Sequence, residues 1–480
     1  MADTTLLWHD YETWGLNPRV DRPSQFAAIR TDTDLNIIGE PIELFCKPAL
    51  DFIPNPESML ITHLTPQVAQ AKGVNEAEFI KGIHKAFSVP GTCGVGYNSI
   101  RFDDEVTRFN LYRNFYDPYA REWQNGNSRW DIVDLVRMCY ALRPDGIVWP
   151  EREPGVPSFQ LEKLSIANGI EHAKAHDALS DVYATLGMAK VIKQAQPKLY
   201  EYYFKFRTKH AAAELLNLVE KPAVLHISGM YPSTEGCIAP VMPLCTHPRN
   251  KNEIILFDLR QNPHALFNTP PEEIAEHLFT RKADLPEGLV RVALKGAHIN
   301  KSPALSPMST LTPELAEKWG FDLKQIEANR QRILFYDGLE QKVQQIYKPK
   351  EGGFGKSDPD GALYGGFITR PDRAVCDQLL KRDADTLLDW APPFQDERLQ
   401  TIYPRYLARN WPDDLNPEQK ATWQTYRAEK IIDGDHDCLL TLDAFFELMA
   451  QIEPENEEQV ALLTDLEQWV ETHFSDLNDT

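Results

Sequence analysis

The chain has 480 residues, with 71 acidic and 50 basic side chains and a formal net charge of −21, a balance that looks wrong for a nucleic-acid protein. Hydrophobic residues make up 42% and charged residues 25%, which excludes global disorder, and the length allows two to four domains at roughly 100–200 residues each. No uncharged apolar run approaches the ~18–20 residues of a membrane span. Met1-Ala2-Asp3-Thr4 lacks the basic, apolar start of a secretory signal, and the seven cysteines are scattered without a C-x-x-C pair, so a cytoplasmic protein without disulfides or a zinc knuckle is expected.

In chain order, residues 4–9 form a short apolar run, and 25–31 and 36–46 read as further strands. Helical spacing follows over 75–87, then another short apolar run at 92–97, then helices over 105–115 and 132–142. A proline-rich loop (Pro150, Pro154, Pro157) leads into 161–168, and a long helical pattern runs from His176 to about Gln194. Strands first and helices after predict a mixed α/β sheet domain over 1–197. The segments 223–230, 237–244, 253–259 and 289–297 are short, β-like and punctuated by Pro and Gly, so 198–347 reads as a small barrel or sandwich. Thr312-Pro313-Glu314 is a helix start. Residues 348–361, rich in Gly, Pro, Asp and Lys, read as a linker. From 362 to 480 the pattern is helical, over 371–384, 396–409, 416–431, 441–452 and 456–474.

Charge is segregated along this order. Residues 1–350 hold 43 acids and 39 bases, whereas 351–480 hold 28 acids and 11 bases. Between 101 and 150 all seven basic residues are arginine, at 101, 108, 113, 121, 129, 137 and 143. Arginine's planar donor fork suits phosphate, and surface salt bridges explain such a stretch equally well. Aromatic residues interleave it: Tyr112, Phe115, Tyr116, Tyr119, Trp123, Trp130 and Tyr140. Bases stacking on aromatics with arginines on phosphates is a sequence-tolerant way to hold a single strand.

Three acidic clusters carry the chemistry. In His9-Asp10-Tyr11-Glu12-Thr13, the two-residue period of a strand puts Asp10 and Glu12 on one face. Side-by-side carboxylates repel unless a cation lies between them, and Mg²⁺ or Mn²⁺ with oxygen ligands suits that role. In Arg101-Phe102-Asp103-Asp104-Glu105, Phe102 is expected in the core and Asp103 at a helix start, where the dipole favours its charge and where it could equally be a helix cap. In His176-Asp177-Ala178-Leu179-Ser180-Asp181, a histidine able to take a proton from water precedes an aspartate one turn along a helix.

Asp-x-Glu on the first strand, Asn98-x-x-x-Phe102-Asp103 in the middle and His-x-x-x-x-Asp on a late helix resemble the DEDD exonuclease superfamily in its histidine-bearing subclass. The runs Arg22-Pro-Ser-Gln-Phe-Ala-Ala-Ile-Arg-Thr-Asp32, Arg101–Arg108, Tyr112–Tyr119, Asn127–Asp131, Cys139–Pro144, Ala167–His172 and His298–Lys301 narrow the resemblance to the bacterial exonuclease I family, over essentially the whole chain. The resemblance implies a ribonuclease H-like exonuclease domain, an SH3-like barrel and a C-terminal helical domain. It implies processive 3′ to 5′ removal of 5′-mononucleotides from single-stranded DNA, in repair and recombination, by a protein expected to be a monomer. Asp10, Glu12 and Asp181 would hold one Mg²⁺, Asp10 with Asp103 a second, Mn²⁺ being able to replace either, and His176 would be the general base. Arg108, Tyr119, Trp123 and Arg137 would contact the strand. Glu12 and the loop Pro157-Ser-Phe-Gln160 would meet its terminal nucleotides. Gln160 departs from the arginine of the family pattern at the expected phosphate contact. Lys209, Asn300 and Lys301 are further strand candidates from the barrel side. The family also docks the acidic, hydrophobic C-terminal tail of single-stranded-DNA-binding protein, and Arg143 and Lys221 match positions of its pocket.

Overall fold

The computed structural model covers residues 3–171, 177–348, 357–475 and 477. Its first element, β1 (Thr5–Thr13), is a central strand, buried on both faces, which is why it opens as a near-continuous apolar run. Antiparallel to it lies β2 (Pro23–Thr31), followed by β3 (Ile42–Phe45), while β4 (Thr92–Gly96) pairs with β1 in parallel. The order is β3-β2-β1-β4. The third strand is shorter than the expected 36–46, because the chain turns at Asp32–Leu35, with Leu35 left-handed at φ 71°, and re-pairs only at an Ile37–Thr31 bridge before β3 begins.

Two helices were not legible from periodicity, α1 (Pro56–Thr62) and α2 (Pro66–Lys72). Each is seven residues long, too short to display a repeat, yet each has a capping side chain (Asn55, Thr65) followed by proline at the first helical position. Helices α3 (Glu76–Phe87) and α4 (Asp103–Arg113) follow as expected. Next come β5 (Ser128–Asp131), α5 (Ile132–Leu142), a ribbon of β6 (Glu151–Glu153) and β7 (Val156–Pro157), then α6 (Leu161–Ala167) and α7 (Ala178–Ala195).

The chain forms two compact units, one from the described residues of 1–128, 172–183 and 353–480, the other from 129–171 and 184–352. In the second, α8 (Pro197–Lys205) and α9 (Lys209–Leu215) precede a five-stranded antiparallel sheet. Its strands β8 (Val224–Ile227), β9 (Ile238–Thr246), β10 (Glu253–Asp258), β11 (Leu294–His298) and β12 (Ala304–Pro307) are ordered β11-β10-β9-β8-β12. Leu216, Val224, Val241, Leu256 and Leu305 form its core. Five helices complete this unit: α10 (His264–Asn268), α11 (Pro271–Phe279), α12 (Pro313–Lys318), α13 (Leu323–Leu334) and α14 (Leu339–Ile346). Of these only the start of α12 was legible, from its Thr-Pro cap.

In the first unit the C-terminal helices are α15 (Arg370–Leu379), α16 (Ala384–Leu388), α17 (Glu397–Asn410), α18 (Pro417–Ile431), α19 (Leu442–Gln451) and α20 (Glu457–Phe474). Helices α15 to α18 share a core with α4 and the residues just after it, where Phe109, Tyr112 and Phe115 pack with Leu399, Tyr403 and Tyr406, whereas α19 and α20 pack with Ile53, Met59 and Ile431. Residues 349–356 of the expected linker lie outside the described residues. Its end, Asp358 to Gly361, is a pinned turn rather than a loose tether.

The pin is a buried ionic network. One turn apart on α17, Arg405 holds Asp358 at 2.8 Å and Arg409 holds Asp360 at 2.6 Å. Arg409 also holds Asp51 at 2.7 Å, and Asp51 lies 3.5 Å from both Arg22 and Lys430. Arg22 continues to Glu76 at 3.3 Å. Burial alone would raise the Asp51 carboxyl, but Arg409, Lys430 and Arg22 hold it well below the usual carboxylate range. Asp360 and Glu76 are held down in the same way by their arginines. Carboxyls lowered in the folded state stabilise it above their unfolded values, near pH 4, and that stability is lost as pH falls through the folded values. Asp51→Asn, which strands buried cations, is expected to cost about 3–5 kcal/mol at pH 7. In thermal melts from pH 7 to 3, the gap between wild type and Asp51→Asn should narrow as pH falls.

Candidate active site

Strand β1 presents its two acids on one face, following Leu6 and Trp8, and Leu7, His9 and Tyr11 on the other. Leu7 and Tyr11 enter the core with Phe26, Phe79, Ile83 and Val106. His9, on that same buried side, packs edge-on to Phe87 at 5.0 Å, and burial lowers its imidazole to about 4, so it is a neutral core residue. Asp10 and Glu12 therefore point away from this core, as the two-residue period predicts. Asp181 arrives from the first turn of α7, and carboxylate oxygens of Asp10, Glu12 and Asp181 lie within 4.8 Å of one another.

Asp103 joins them through the backbone of β1. Pairing with β4 ends at Trp8, which leaves the edge of β1 beyond it without a strand partner on that side. The Tyr11 N–H donates there to Asp103 Oδ1 at 3.1 Å. Thr107, one turn along α4, donates to the Asp103 carbonyl at 2.8 Å, and its hydroxyl lies 3.0 Å from the Tyr11 hydroxyl. Asp103 is the first residue of α4, and the preceding Phe102 makes no side-chain cap, so the aspartate acts across the fold. Phe102 packs half-buried against the sheet core. The neighbouring acids turn elsewhere, Asp104 to Arg121 at 2.6 Å and Glu105 to Arg108 at 2.6 Å.

Among the described residues, the charged groups that act most on Asp10 and Glu12 are all acids. Burial pushes the Asp10 carboxyl well up, and Asp103, Glu12, Asp181 and Asp177 push it further. Glu12 rises for the same reasons, burial first and then Asp181, Asp103 and Asp177. An all-oxygen donor set under mutual repulsion fits a hard divalent cation. It is the one such group of potential metal ligands among the described residues. His176 lies outside the described residues.

The strand candidates fall into three environments. Trp123 is 65% exposed, a flat surface open to a base. Gln160 is exposed at the start of α6, where its side chain makes no cap. Arg108 is buried, with Glu122 gripping its fork at 2.6 and 2.8 Å, and its guanidinium sits 5.4 Å over the Tyr119 ring. Arg137 pairs with Asp134 at 2.6 Å, and Lys209 donates to Asn252 at 2.6 Å. The Asn300 carbonyl accepts from Arg129, next to Lys301, whose backbone N–H bonds His298. Arg143 donates to the carbonyls of Leu142 and Thr310, and the Lys221 carbonyl accepts from Arg330. Most of the arginine-rich stretch thus engages internal partners, the salt-bridge alternative. Tyr112, Phe115 and Trp130 of its aromatic series are core residues. Residue-by-residue reading missed Gln25, Tyr11 and Thr107; only the cap position of Asp177, three residues before Ser180, was a readable signal.

Three family models match the chain: "Exonuclease" over residues 7–188, "Exonuclease I SH3-like domain" over 207–349 and "Exonuclease I C-terminal domain" over 357–473. Exodeoxyribonuclease I of Escherichia coli (strain K12) is 43% identical, over 98% of each chain. Among solved structures, exonuclease I from Methylocaldum szegediense is 44% identical with a TM-score of 0.93, over 98% of this chain and 99% of the other. Escherichia coli exonuclease I in complex with a dA16 oligonucleotide is 42% identical with a TM-score of 0.93, over 98% of this chain and all of the other. The latter enzyme is also solved in a zinc-bound complex with single-stranded DNA, and a further similar structure, 41% identical with a TM-score of 0.87, is of SSB/exonuclease I in complex with an inhibitor.

Carboxyls raised in the folded state favour it most below their unfolded values, and that advantage is lost as pH rises through the folded values. A bound cation would offset the loss. Mg²⁺ or Mn²⁺ should therefore raise the melting temperature more at pH 8 than at pH 5. Asp10→Asn should raise the metal-free melting temperature at pH 8 and remove most of the cation response in the same scans.

Proposed function

Because the chain belongs to the exonuclease I family, we propose that it is a metal-dependent exonuclease that degrades single-stranded DNA processively from the 3′ end, releasing 5′-mononucleotides, in DNA repair and recombination. The observation that carries this reading is the convergence of Asp10, Glu12 and Asp181, with Asp103 bonded to the strand between the first two. The cation would be Mg²⁺, or Mn²⁺ in its place, with two ions: Asp10, Glu12 and Asp181 would hold one, and Asp10 with Asp103 a second. When bound, such ions make a water acidic and steady a leaving 3′-oxygen. The chain's own residues do the rest. His176, five residues before Asp181, takes the proton of the attacking water. Glu12 and Gln160 face the terminal nucleotides, Gln160 with a neutral amide in place of a charged phosphate contact. Trp123 and Tyr119 stack bases, and Arg137, Lys209, Asn300 and Lys301 line the strand's path. Arg108 acts on the strand chiefly by holding Tyr119 beneath its guanidinium.

The division we propose is 1–197, 198–347 and 362–480, joined by 348–361; the order of the three family models, over 7–188, 207–349 and 357–473, supports three parts. The protein acts as a cytoplasmic monomer; no helix among the described residues is long and apolar enough to cross a membrane. Its partner is the C-terminal tail of single-stranded-DNA-binding protein, with Arg143 and Lys221 meeting the tail's acids.

Digestion of a labelled single strand should proceed with Mg²⁺ and stop in EDTA. Asp181→Ala removes an ion ligand and should slow the reaction about 10³-fold or more. For His176→Ala a smaller loss, about 10²-fold, is expected, because the ions already acidify the water; wild-type rates in Asp181→Ala would refute the site. Trp123→Ala should weaken binding of a catalytically blocked enzyme to a single strand by about 1–3 kcal/mol. In fluorescence titrations with a tail peptide, Arg143→Ala should lower affinity and leave digestion of free DNA unchanged.

A further inference from the structure

Gln25 on β2 stands directly across the ladder from Glu12 and is 3% exposed. Its side-chain amide touches three groups. The Nε2 donates to Asp177 Oδ1 at 3.2 Å and to Glu43 Oε1 of β3 at 2.9 Å. The Oε1 accepts from the Ala178 backbone N–H at 3.4 Å. This pattern admits one orientation of the amide, because the two carboxylates require the NH₂ end and the backbone N–H requires the oxygen.

Asp177 and Ala178 are the start of α7. Asp177 caps the helix, its Oδ2 accepting from the Ser180 N–H at 3.2 Å, and its carbonyl accepts from the Asp181 N–H at 3.0 Å. One buried amide thus grips both the cap and the first helical residue. The same first turn delivers Asp181 to Asp10 and Glu12. Asp177 is a fifth acid near Asp10, Glu12, Asp103 and Asp181, close enough to raise both Asp10 and Glu12. Both of its oxygens are nevertheless engaged by N–H donors, and it stands outside the ligand cluster.

We propose that Gln25 is a positioning residue for the metal-ligating cluster: it seats the start of α7 against the sheet, so that Asp181 meets the β1 acids, and it keeps the Asp177 carboxylate turned away from the ions. The inference rests on the reading of the cluster as a divalent-metal site. Groups behind metal ligands commonly change affinity or activity about 10–100-fold when removed. Glutamine suits the role because a single neutral side chain offers donors to two acids and an acceptor to a backbone N–H.

The test measures Mn²⁺ binding by titration calorimetry alongside kcat and KM on single-stranded DNA. Gln25→Met keeps the length and loses every polar contact. It should weaken Mn²⁺ about tenfold or more and lower kcat, with KM for DNA unchanged. Gln25→Glu should weaken Mn²⁺ as well, by setting a third acid against Asp177 and Glu43. Adding Asp177→Asn to Gln25→Glu reverses the polarity of the bond while preserving a good helix cap, and it should recover most of the lost affinity. Should Gln25→Met melt below the assay temperature, Gln25→Glu and its double variant carry the comparison. Wild-type Mn²⁺ affinity in Gln25→Met, or a double variant no better than Gln25→Glu, would overturn the proposal. Asp181→Ala separates the two levels. If wild type and Asp181→Ala bind Mn²⁺ alike, the metal site itself falls, whereas loss in Asp181→Ala with an indifferent Gln25→Met removes only the role of Gln25.

Discussion

The mutual repulsion of carboxylates gathered on one strand and two helix starts governs this molecule. Asp10, Glu12 and Asp181 bring oxygens within 4.8 Å of one another, and Asp103 is tied to the peptide between the first two. Left to themselves these groups would move apart, so the surrounding structure has to hold them. The rigid part is β1, paired on both sides up to Trp8 and anchored by its apolar face. Asp103 and Asp181 both sit in first helical turns, where the dipole favours negative charge. Burial and repulsion together raise Asp10 and Glu12, the electrostatic condition under which a divalent cation binds well.

The C-terminal helices are part of that support. Helix α4, which carries Asp103, buries Phe109 and Tyr112 among residues of α17 and its neighbours. The ionic network of Asp51, Arg22, Glu76, Arg409 and Asp360 ties the same helices to the starts of β2 and α3. Breaking any one partner would leave a buried charge unpaired, so the network makes the arrangement all-or-none more than it adds net stability. It also ends the proline- and glycine-rich segment in a defined turn at Asp358–Gly361.

Charge also reads differently once the fold is seen. The total of −21 conceals a chain whose first 350 residues are nearly balanced. In the arginine-rich stretch, Arg108, Arg121 and Arg137 hold carboxylates and Arg129 and Arg143 hold carbonyls. A run of one residue type therefore said little about a ligand, because the packed protein supplies its own acceptors. Trp123, exposed within that stretch, is the better pointer to a strand.

Features that depend on local geometry are legible along the chain. Asp10 and Glu12 share a face because a strand repeats every two residues, and Asp103 begins a helix because Phe102 and the acids after it set a start. The long C-terminal helices declared themselves by period; α1 and α2 did not, since seven residues show no repeat, although Asn55-Pro56 and Thr65-Pro66 marked their starts. Tertiary structure alone decided which acids converge and which are neutralised. Asp103 and Asp104 are adjacent in the chain, yet one meets Tyr11 and the other Arg121. Asp51 finds Arg409 across 358 positions, and Gln25 finds Asp177 across 152. Such pairings follow from how strands and helices pack, and a side chain's periodicity along its own element carries no information about the partner that packing brings to it.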